Sequence, residues 1–196
     1  MKIKNLAILF SGNGSNLENL YLHLHNKIFD GMKINIPLAL SSRRDAYGIK
    51  RCEYLNLKCE ILSSKDYKDK SVEEYDARLI EILQSYNIDL VVLAGFMRIL
   101  SDRFCQTFCA LNIHPSILPL FKGSNAIIES YQSDMKIAGV SVHFVSKELD
   151  SGILVEQDII HKIEGESLES FEARIHSLEY KIYPKAILKV LSKCKI

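Results

Sequence analysis

Short apolar runs alternate with helical patterns in the first half of this chain, and that order constrains the fold most strongly. Four runs rich in Leu, Ile and Val predict buried strands at residues 5–10, 34–40, 58–62 and 89–94. Two apolar stripes at helical spacing predict helices between them: Leu17, Leu20, Tyr21 and Leu24, and then Val72, Tyr75, Leu79, Leu83 and Tyr86. The alternation predicts a parallel sheet covered by helices on both faces and joined by right-handed crossovers.

The second half predicts a different strand arrangement. Residues 110–114, 139–145 and 153–161 are strand-like, and only the turn-like sequence KELDSG separates the last two. We therefore expect an antiparallel pair at that edge of the sheet. A closing helix is predicted from about Leu168, until Pro184 kinks or restarts it. Its buried stripe would be Phe171, Ile175, Leu178 and Ile182. No repeat or linker interrupts the chain, so a single domain over residues 1–196 is expected.

Composition excludes several classes of protein. Hydrophobic residues make up 47% and charged residues 25%, which is the ordinary globular mixture. Lys and Arg number 25 against 24 Asp and Glu, so no overall basic field favours a nucleic-acid partner. No apolar segment is long enough for a signal peptide or a membrane span, and no lipidation motif is evident. We expect a cytoplasmic protein without a membrane partner.

The cysteines suggest reduced thiols. There are five, and they form neither a C-x-x-C pair nor an even-numbered framework; they are Cys52, Cys59, Cys105, Cys109 and Cys194. Cys105 and Cys109 would share one face if they lay on a helix, where half of a zinc site is conceivable. Small buried apolar residues are the favoured interpretation, and no metal is assigned.

A glycine loop follows the first predicted strand. Residues 11–16 read SGNGSN and lead into a helix, so backbone N–H groups and the helix dipole can converge on an anion. A plain tight turn is the alternative, which a glycine-rich loop by itself does not reject. Leu17 occupies the position of the third glycine of a dinucleotide fingerprint, and no acidic residue ends the second strand. A nicotinamide cofactor is therefore disfavoured, and no Walker sequence is present.

Asn112 and His114 are the first candidates for chemistry. They alternate along a predicted strand, so their side chains share a face, and Pro115 favours extended backbone before it. An amide donor with an imidazolium could stabilise an oxyanion, and histidine could also move a proton. Asp150 could favour the charged imidazole if the two meet in space. A hydrogen-bonded core histidine and two turn-forming residues remain the alternative, and sequence alone does not separate these possibilities.

Several linked motifs resemble one family. They are SGNGSNL at 11–17, LAGFMRIL at 93–100, NIHPSILP at 112–119, SVHFV at 141–145 and ELDSG at 148–152. In this order, over nearly the whole chain, they resemble the phosphoribosylglycinamide formyltransferase family of purine synthesis. Methionyl-tRNA formyltransferase and formyltetrahydrofolate hydrolase are similar in the folate half. Those two normally carry an additional domain, for which 196 residues leave no room, and are not expected to have the SGNGSN loop.

The resemblance implies a three-layer, Rossmann-like α/β formyltransferase fold with a mostly parallel seven-stranded sheet and an antiparallel edge. It implies formyl transfer from 10-formyltetrahydrofolate, a co-substrate, to the amine of glycinamide ribonucleotide. The ribonucleotide phosphate site would lie in the N-terminal half, and the folate site and catalytic residues in the C-terminal half. By the same resemblance, Asn112, His114 and Asp150 would be catalytic. Ribonucleotide contacts would come from Gly14, Ser15, Asn16, His176 and Glu179, and folate contacts from Met97, Arg98, Ile99, Leu100, Asn112, Ser146, Lys147, Glu148, Leu149 and Asp150.

Two positions depart from the family pattern. Lys or Gln is usual where His176 stands, and Val72 occupies the place of a folate-contacting Arg, for which Lys70 is the candidate substitute. His143 is interpreted as a structural residue of its strand.

A regulatory nucleotide-binding module and an acyl hydrolase remain competing classes, although no G-x-S-x-G elbow is present. The partners expected are the two small-molecule substrates, and the chain is expected to be a monomer or a weak homodimer.

Overall fold

The computed structural model describes residues 1–193, in which eight strands, six α-helices and a short 3-10 helix at Ser64–Tyr67 occur. The strands are β1 (Lys2–Phe10), β2 (Ile28–Phe29), β3 (Met32–Ser41), β4 (Cys59–Ile61), β5 (Leu90–Leu93), β6 (Ala110–His114), β7 (Ile137–Phe144) and β8 (Leu154–His161). The helices are α1 (Ser15–Leu24), α2 (Gly48–Tyr54), α3 (Val72–Ser85), α4 (Asp102–Thr107), α5 (Ala126–Gln132) and α6 (Leu168–Lys193).

The strands form a mostly parallel sheet in the order β2-β3-β1-β5-β6-β7-β8, with β4 beside β3. β1 pairs in parallel with β3 and β5, and β3 with β4. The predicted antiparallel edge is confirmed, because β7 and β8 run in opposite directions. All seven predicted strands are present. The sheet has an eighth strand, β2, which pairs antiparallel with β3; a two-residue strand is too short for any apolar pattern to predict.

The chain divides into two compact units, residues 1–111 and the residues from Asn112 onward. In the first unit the central strands carry continuous buried apolar stretches: β5 is completely buried, and Leu6 to Phe10 of β1 are at most 1% exposed. Such strands are typical of parallel sheets covered on both faces. The predicted helix stripes supply the covering side chains, chiefly Leu17, Leu20 and Leu24 of α1 and Tyr75, Leu79 and Leu83 of α3.

Helix α6 of the second unit differs from its prediction. It runs without interruption through Pro184, so the predicted restart is wrong. Proline removes one helical hydrogen bond, but Ile182 and Tyr183 before it and Ala186 and Ile187 after it are buried and hold the helix in register. The predicted stripe Phe171, Ile175, Leu178 and Ile182 is buried as expected.

Within residues 1–193 the cysteines are thiols rather than disulfides, namely Cys52, Cys59, Cys105 and Cys109, whereas Cys194 lies outside the described residues. Cys109 lies beyond the end of α4, so the helical spacing considered for Cys105 and Cys109 does not apply. No helix within residues 1–193 combines the length and the apolar character that a membrane crossing requires.

Candidate active site

The glycine loop, residues 11–16, connects β1 to α1 in the first unit. Gly14 is the N-cap of α1 and has a left-handed φ of 76°, which favours glycine. A Cβ at Gly14 would lie 2.7 Å from Cα of Gly48, so the close approach of α2 requires glycine as well. Gly14 offers no capping side chain, and the first N–H groups of a helix have no intrahelical acceptor. The loop therefore has the backbone geometry of an anion site at Ser15 and Asn16.

Arg51 of α2 fixes this loop from the side. Its Nε donates to the carbonyl oxygen of Asn13 at 2.9 Å, and its Nη2 donates to Asn13 Oδ1 at 2.9 Å. The same guanidinium forms an ion pair with Glu18 of α1. Through these three contacts Arg51 joins α2 to the loop and to α1. Sequence reasoning missed this residue, since nothing in the spacing links α2 to the loop.

The second predicted binding segment of this unit is Met97 to Leu100, between β5 and α4. The side chains of Met97 and Ile99 are 70% and 58% exposed, which is unusual for large apolar residues. The Arg98 guanidinium carbon lies 3.7 Å from the centre of the Tyr75 ring, within cation–π range. An exposed apolar pair beside a stacked guanidinium is suited to a flat aromatic ligand.

In the second unit the structure brings Asn112, His114 and Asp150 together. Asn112 and His114 share a face of β6, and Asp150 comes from the β7–β8 connection. His114 Nδ1 lies 3.4 Å from Asp150 Oδ2, and Asn112 Nδ2 donates to Asp150 Oδ1 at 3.5 Å. His143 of β7 joins them, because its Nε2 is 3.2 Å from Asn112 Nδ2 and 3.6 Å from Asp150 Oδ1. We call these four residues the histidine cluster.

His114 contacts oxygen atoms on both sides of its ring. Nε2 donates to the carbonyl oxygen of Phe121 at 2.7 Å, while Nδ1 faces the Asp150 carboxylate. Both partners are oxygen acceptors, so each contact is favourable to a ring N–H. His114 is 5% exposed, so water competes little for either contact. The cluster thus places an imidazole, flanked by oxygen acceptors on both sides, beside the amide of Asn112.

Asp150 is held in its ionised form. Burial by itself would raise the pKa of the carboxyl, but the contact with His143, the N–H of Gly123 and the charges of the two histidines outweigh it and lower the pKa. Gly123 N donates to Asp150 Oδ2 at 2.9 Å. Asp150 also has a left-handed φ of 48°, a strained conformation that these contacts maintain.

His143 is the cluster member that sequence reasoning assigned only a structural position. Its Nδ1 donates to the carbonyl oxygen of Phe144 at 2.9 Å, and its Nε2 faces both Asn112 Nδ2 and Asp150 Oδ1. A usable signal was present in the sequence: His143, like Asn112, lies near the end of a predicted strand. Which two strands are neighbours, however, is a property of the sheet order. Among the described residues, no group of His, Cys, Asp and Glu is arranged to hold a metal ion.

The remaining predicted residues lie elsewhere. His176 and Glu179 meet on α6, where His176 Nδ1 is 2.8 Å from Glu179 Oε2. Glu179 is 4% exposed, and its contact with the ring, despite partial burial, raises the pKa of His176. The predicted folate residues Ser146, Lys147, Glu148 and Leu149 occupy the β7–β8 connection, where Ser146 Oγ donates to the Glu148 carbonyl oxygen at 3.0 Å.

Comparison with known proteins places the chain among formyl transferases. The family model described as formyl transferase matches residues 4–187. A phosphoribosylglycinamide formyltransferase of Bacillus subtilis is 34% identical over 191 residues, covering 96% of this chain and 95% of that protein. The human trifunctional purine biosynthetic protein adenosine-3 is 34% identical, over 97% of this chain but only 19% of its own length.

Solved structures agree with the sequence comparisons. A crystal structure of phosphoribosylglycinamide formyltransferase from Campylobacter jejuni is 47% identical, has a TM-score of 0.92, and covers 96% of this chain and 98% of its own. Family model, full-length relatives and solved structures agree over almost the entire sequence. The chain therefore belongs to the formyl transferase family and, within it, to the phosphoribosylglycinamide formyltransferases.

Proposed function

We propose that this enzyme transfers the formyl group of 10-formyltetrahydrofolate to the amine of 5'-phosphoribosylglycinamide. The products are formylglycinamide ribonucleotide and tetrahydrofolate, a step of de novo purine (IMP) biosynthesis. The observation that supports the proposal best is the histidine cluster, in a chain whose full-length relatives are named for this reaction. Formyl transfer needs stabilisation of an oxyanion and movement of a proton, and an amide, an imidazolium and a carboxylate can supply both.

In this mechanism the neutral substrate amine attacks the formyl carbon, and negative charge develops on the formyl oxygen. Asn112 Nδ2 and the protonated ring of His114 would exchange part of their contacts with Asp150, His143 and the Phe121 carbonyl for hydrogen bonds to that oxygen. Asp150 would keep His114 protonated and guide the proton that the amine loses toward N10 of the departing tetrahydrofolate. One C–N bond forms while another breaks, so no covalent bond to the enzyme is required.

Substrate binding divides between backbone and side-chain elements. We assign the ribonucleotide phosphate to Gly14, Ser15 and Asn16, because the start of α1 offers helical N–H groups to an anion. His176 and Glu179 are assigned to the same substrate. The folate is assigned to the backbone of Met97 to Leu100 and to the 146–150 connection, where exposed Met97, Ile99 and Leu149 offer apolar surface to the pterin.

The cellular setting follows from the reaction proposed. Both substrates are small anionic metabolites of the cytoplasm, and we assign the enzyme to that compartment. We further propose that the chain acts on these small molecules without a nucleic-acid or membrane partner, as a monomer or a weak homodimer, within a single formyltransferase domain over residues 1–196.

A spectroscopic assay of folate deformylation tests the function directly. The purified protein is mixed with 10-formyltetrahydrofolate, with and without the ribonucleotide, and the appearance of tetrahydrofolate is followed. We expect deformylation that requires the ribonucleotide and yields its N-formyl product. Deformylation without an acceptor would instead identify a hydrolase, and deformylation only with another amine would identify a different formyltransferase. No turnover under any condition would refute the proposal.

A further inference from the structure

Asp76 is a buried carboxylate outside the histidine cluster. It lies on α3 of the first unit and is 0% exposed. Removing a carboxylate from water is costly unless it is paired and hydrogen-bonded, so a buried one that is not part of an ion pair requires an explanation. Its helix offers none, because the other side chains that α3 buries carry no positive charge: they are Tyr75, Leu79, Ile80 and Leu83.

The contacts of Asp76 point to the 97–100 segment. Oδ2 accepts a hydrogen bond from the backbone N–H of Ser101 at 2.6 Å, and Ser101 follows Leu100 directly. Ser101 is also the N-cap of α4, where its Oγ accepts from Phe104 N. Burial raises the pKa of Asp76, while the N–H and side chain of Ser101 and the charge of Arg98 act to lower it. The carboxylate thus fixes one end of the segment.

Ser11 fixes the other end. Its Oγ accepts from the backbone N–H of Met97 at 2.8 Å and lies 2.5 Å from Ser42 Oγ. Its own N–H donates to the Gly95 carbonyl oxygen at 3.0 Å. Ser11 is 3% exposed, so both anchors are buried while Met97 and Ile99 between them point to solvent. The two anchors differ in one respect: Ser11 also opens the glycine loop.

We propose that Asp76 is a positioning residue for the folate co-substrate, acting through the Ser101 N–H to hold the backbone of the 97–100 segment in its binding conformation. The inference rests on the proposed function, because it takes this segment as folate-binding. A buried acceptor is suited to the task, since it fixes the backbone from behind while the ligand face of the segment stays open. Ser11 holds the same segment, but it is also the first residue of the glycine loop, so it belongs to both proposed binding regions.

The test compares Asp76→Ala and Asp76→Asn with Glu81→Ala, an exposed acidic residue on the same helix. Initial rates give KM for each substrate, with unfolding midpoints recorded for every variant. For Asp76→Ala we expect the KM for 10-formyltetrahydrofolate to rise about tenfold or more, because the Ser101 N–H loses its buried acceptor. The KM for the ribonucleotide should stay within about twofold, as should both constants of Glu81→Ala. Asp76→Asn keeps an acceptor oxygen and should recover most of the folate affinity.

A second pair of variants approaches the same contact from the donor side. Ser101 has φ of −73°, which proline can adopt, and Ser101→Pro replaces the N–H with a ring carbon on the side where the Asp76 carboxylate lies, which abolishes the contact. Ser101→Ala removes the Oγ cap and keeps the N–H. Ser101→Pro should raise the KM for 10-formyltetrahydrofolate about tenfold above that of Ser101→Ala, which keeps the N–H donor. This pair decides the matter if Asp76→Ala does not fold. Ser11→Ala, by contrast, should raise KM for both substrates.

Hydrogen exchange separates this proposal from the proposed function. In the protein without ligands, amides of residues 96–101 should exchange faster in Asp76→Ala and Ser101→Pro than in Glu81→Ala and Ser101→Ala. If wild-type protein transfers no formyl group, the proposed function fails whatever the exchange result. The other case is that wild-type protein transfers the formyl group. If folded Asp76→Ala or Ser101→Pro then raises both KM values equally, or raises neither of them, Asp76 is only a structural residue and the inference is overturned.

Discussion

The glycine loop and the histidine cluster are built in opposite ways. In the loop the decisive feature is backbone geometry: a left-handed glycine, a helix start, and a neighbouring helix too close for any side chain at Gly14. In the cluster the decisive feature is contact among ionisable side chains, each nearly excluded from water. A site made of backbone should be sensitive to added volume and indifferent to charge. A site made of buried polar side chains should show the reverse.

The largest expected effect is the removal of a hydrogen-bond donor from the cluster. Asn112→Ala and His114→Ala should each lower kcat by about a hundred- to a thousand-fold, because each is proposed to donate to the developing oxyanion. Steady-state rates with purified protein measure the effect. His23→Ala, which removes an exposed histidine of α1, is the matched control and should retain full activity. A folded His114→Ala enzyme with near-wild-type turnover would remove the imidazolium from the mechanism.

The loop should respond to one methyl group. Gly14→Ala places a Cβ 2.7 Å from Gly48 Cα at a φ of 76°, so we expect a loss of about 1–3 kcal/mol in the free energy of unfolding. Gly12→Ala is the matched control, because a Cβ there meets nothing within 4 Å. Urea unfolding of the two variants gives the comparison, and KM for the ribonucleotide should rise in Gly14→Ala. Equal stability of both variants would show that the close approach to α2 is not a constraint.

His143 gives a smaller test of the same contrast within the cluster. His143→Gln retains bulk but changes the contacts to Asn112 and Asp150, so kcat should fall about tenfold with little change in the free energy of unfolding. Rates and urea unfolding are measured on the same preparation. If stability falls and kcat does not, the structural interpretation of His143 is correct.

The smallest effect concerns the pH dependence of stability at His176. Its pKa is raised in the folded chain, chiefly by Glu179, so its stabilising contribution is fully present below the unfolded pKa, 6.5, and is lost as pH rises through the folded value. The difference in unfolding free energy between wild type and His176→Gln should therefore shrink as the pH rises above 6.5. Urea unfolding across this range measures it. A difference that grows with pH would contradict the assigned ion pair.

Much of the fold could be predicted because apolar periodicity is local. The strands from β1 to β8, apart from β2, appear as Leu-, Ile- and Val-rich runs, and the helix stripes appear at helical spacing. β2 was missed because two residues are too few to show a periodic apolar pattern. The restart at Pro184 was wrong because local rules count the lost hydrogen bond but not the packing of neighbouring residues on α6.

The sequence by itself determined the order of elements, the glycine loop and the residue types at 112, 114 and 150, since each depends on neighbours in the chain. Only the tertiary structure decided which polar groups meet: His143 with Asn112, Asp76 with Ser101, and Arg51 with Asn13. These contacts join residues far apart in sequence, and sheet order and helix packing bring them together. A carboxylate or imidazole acquires its charge state from such neighbours, so that property could not be predicted from the chain alone.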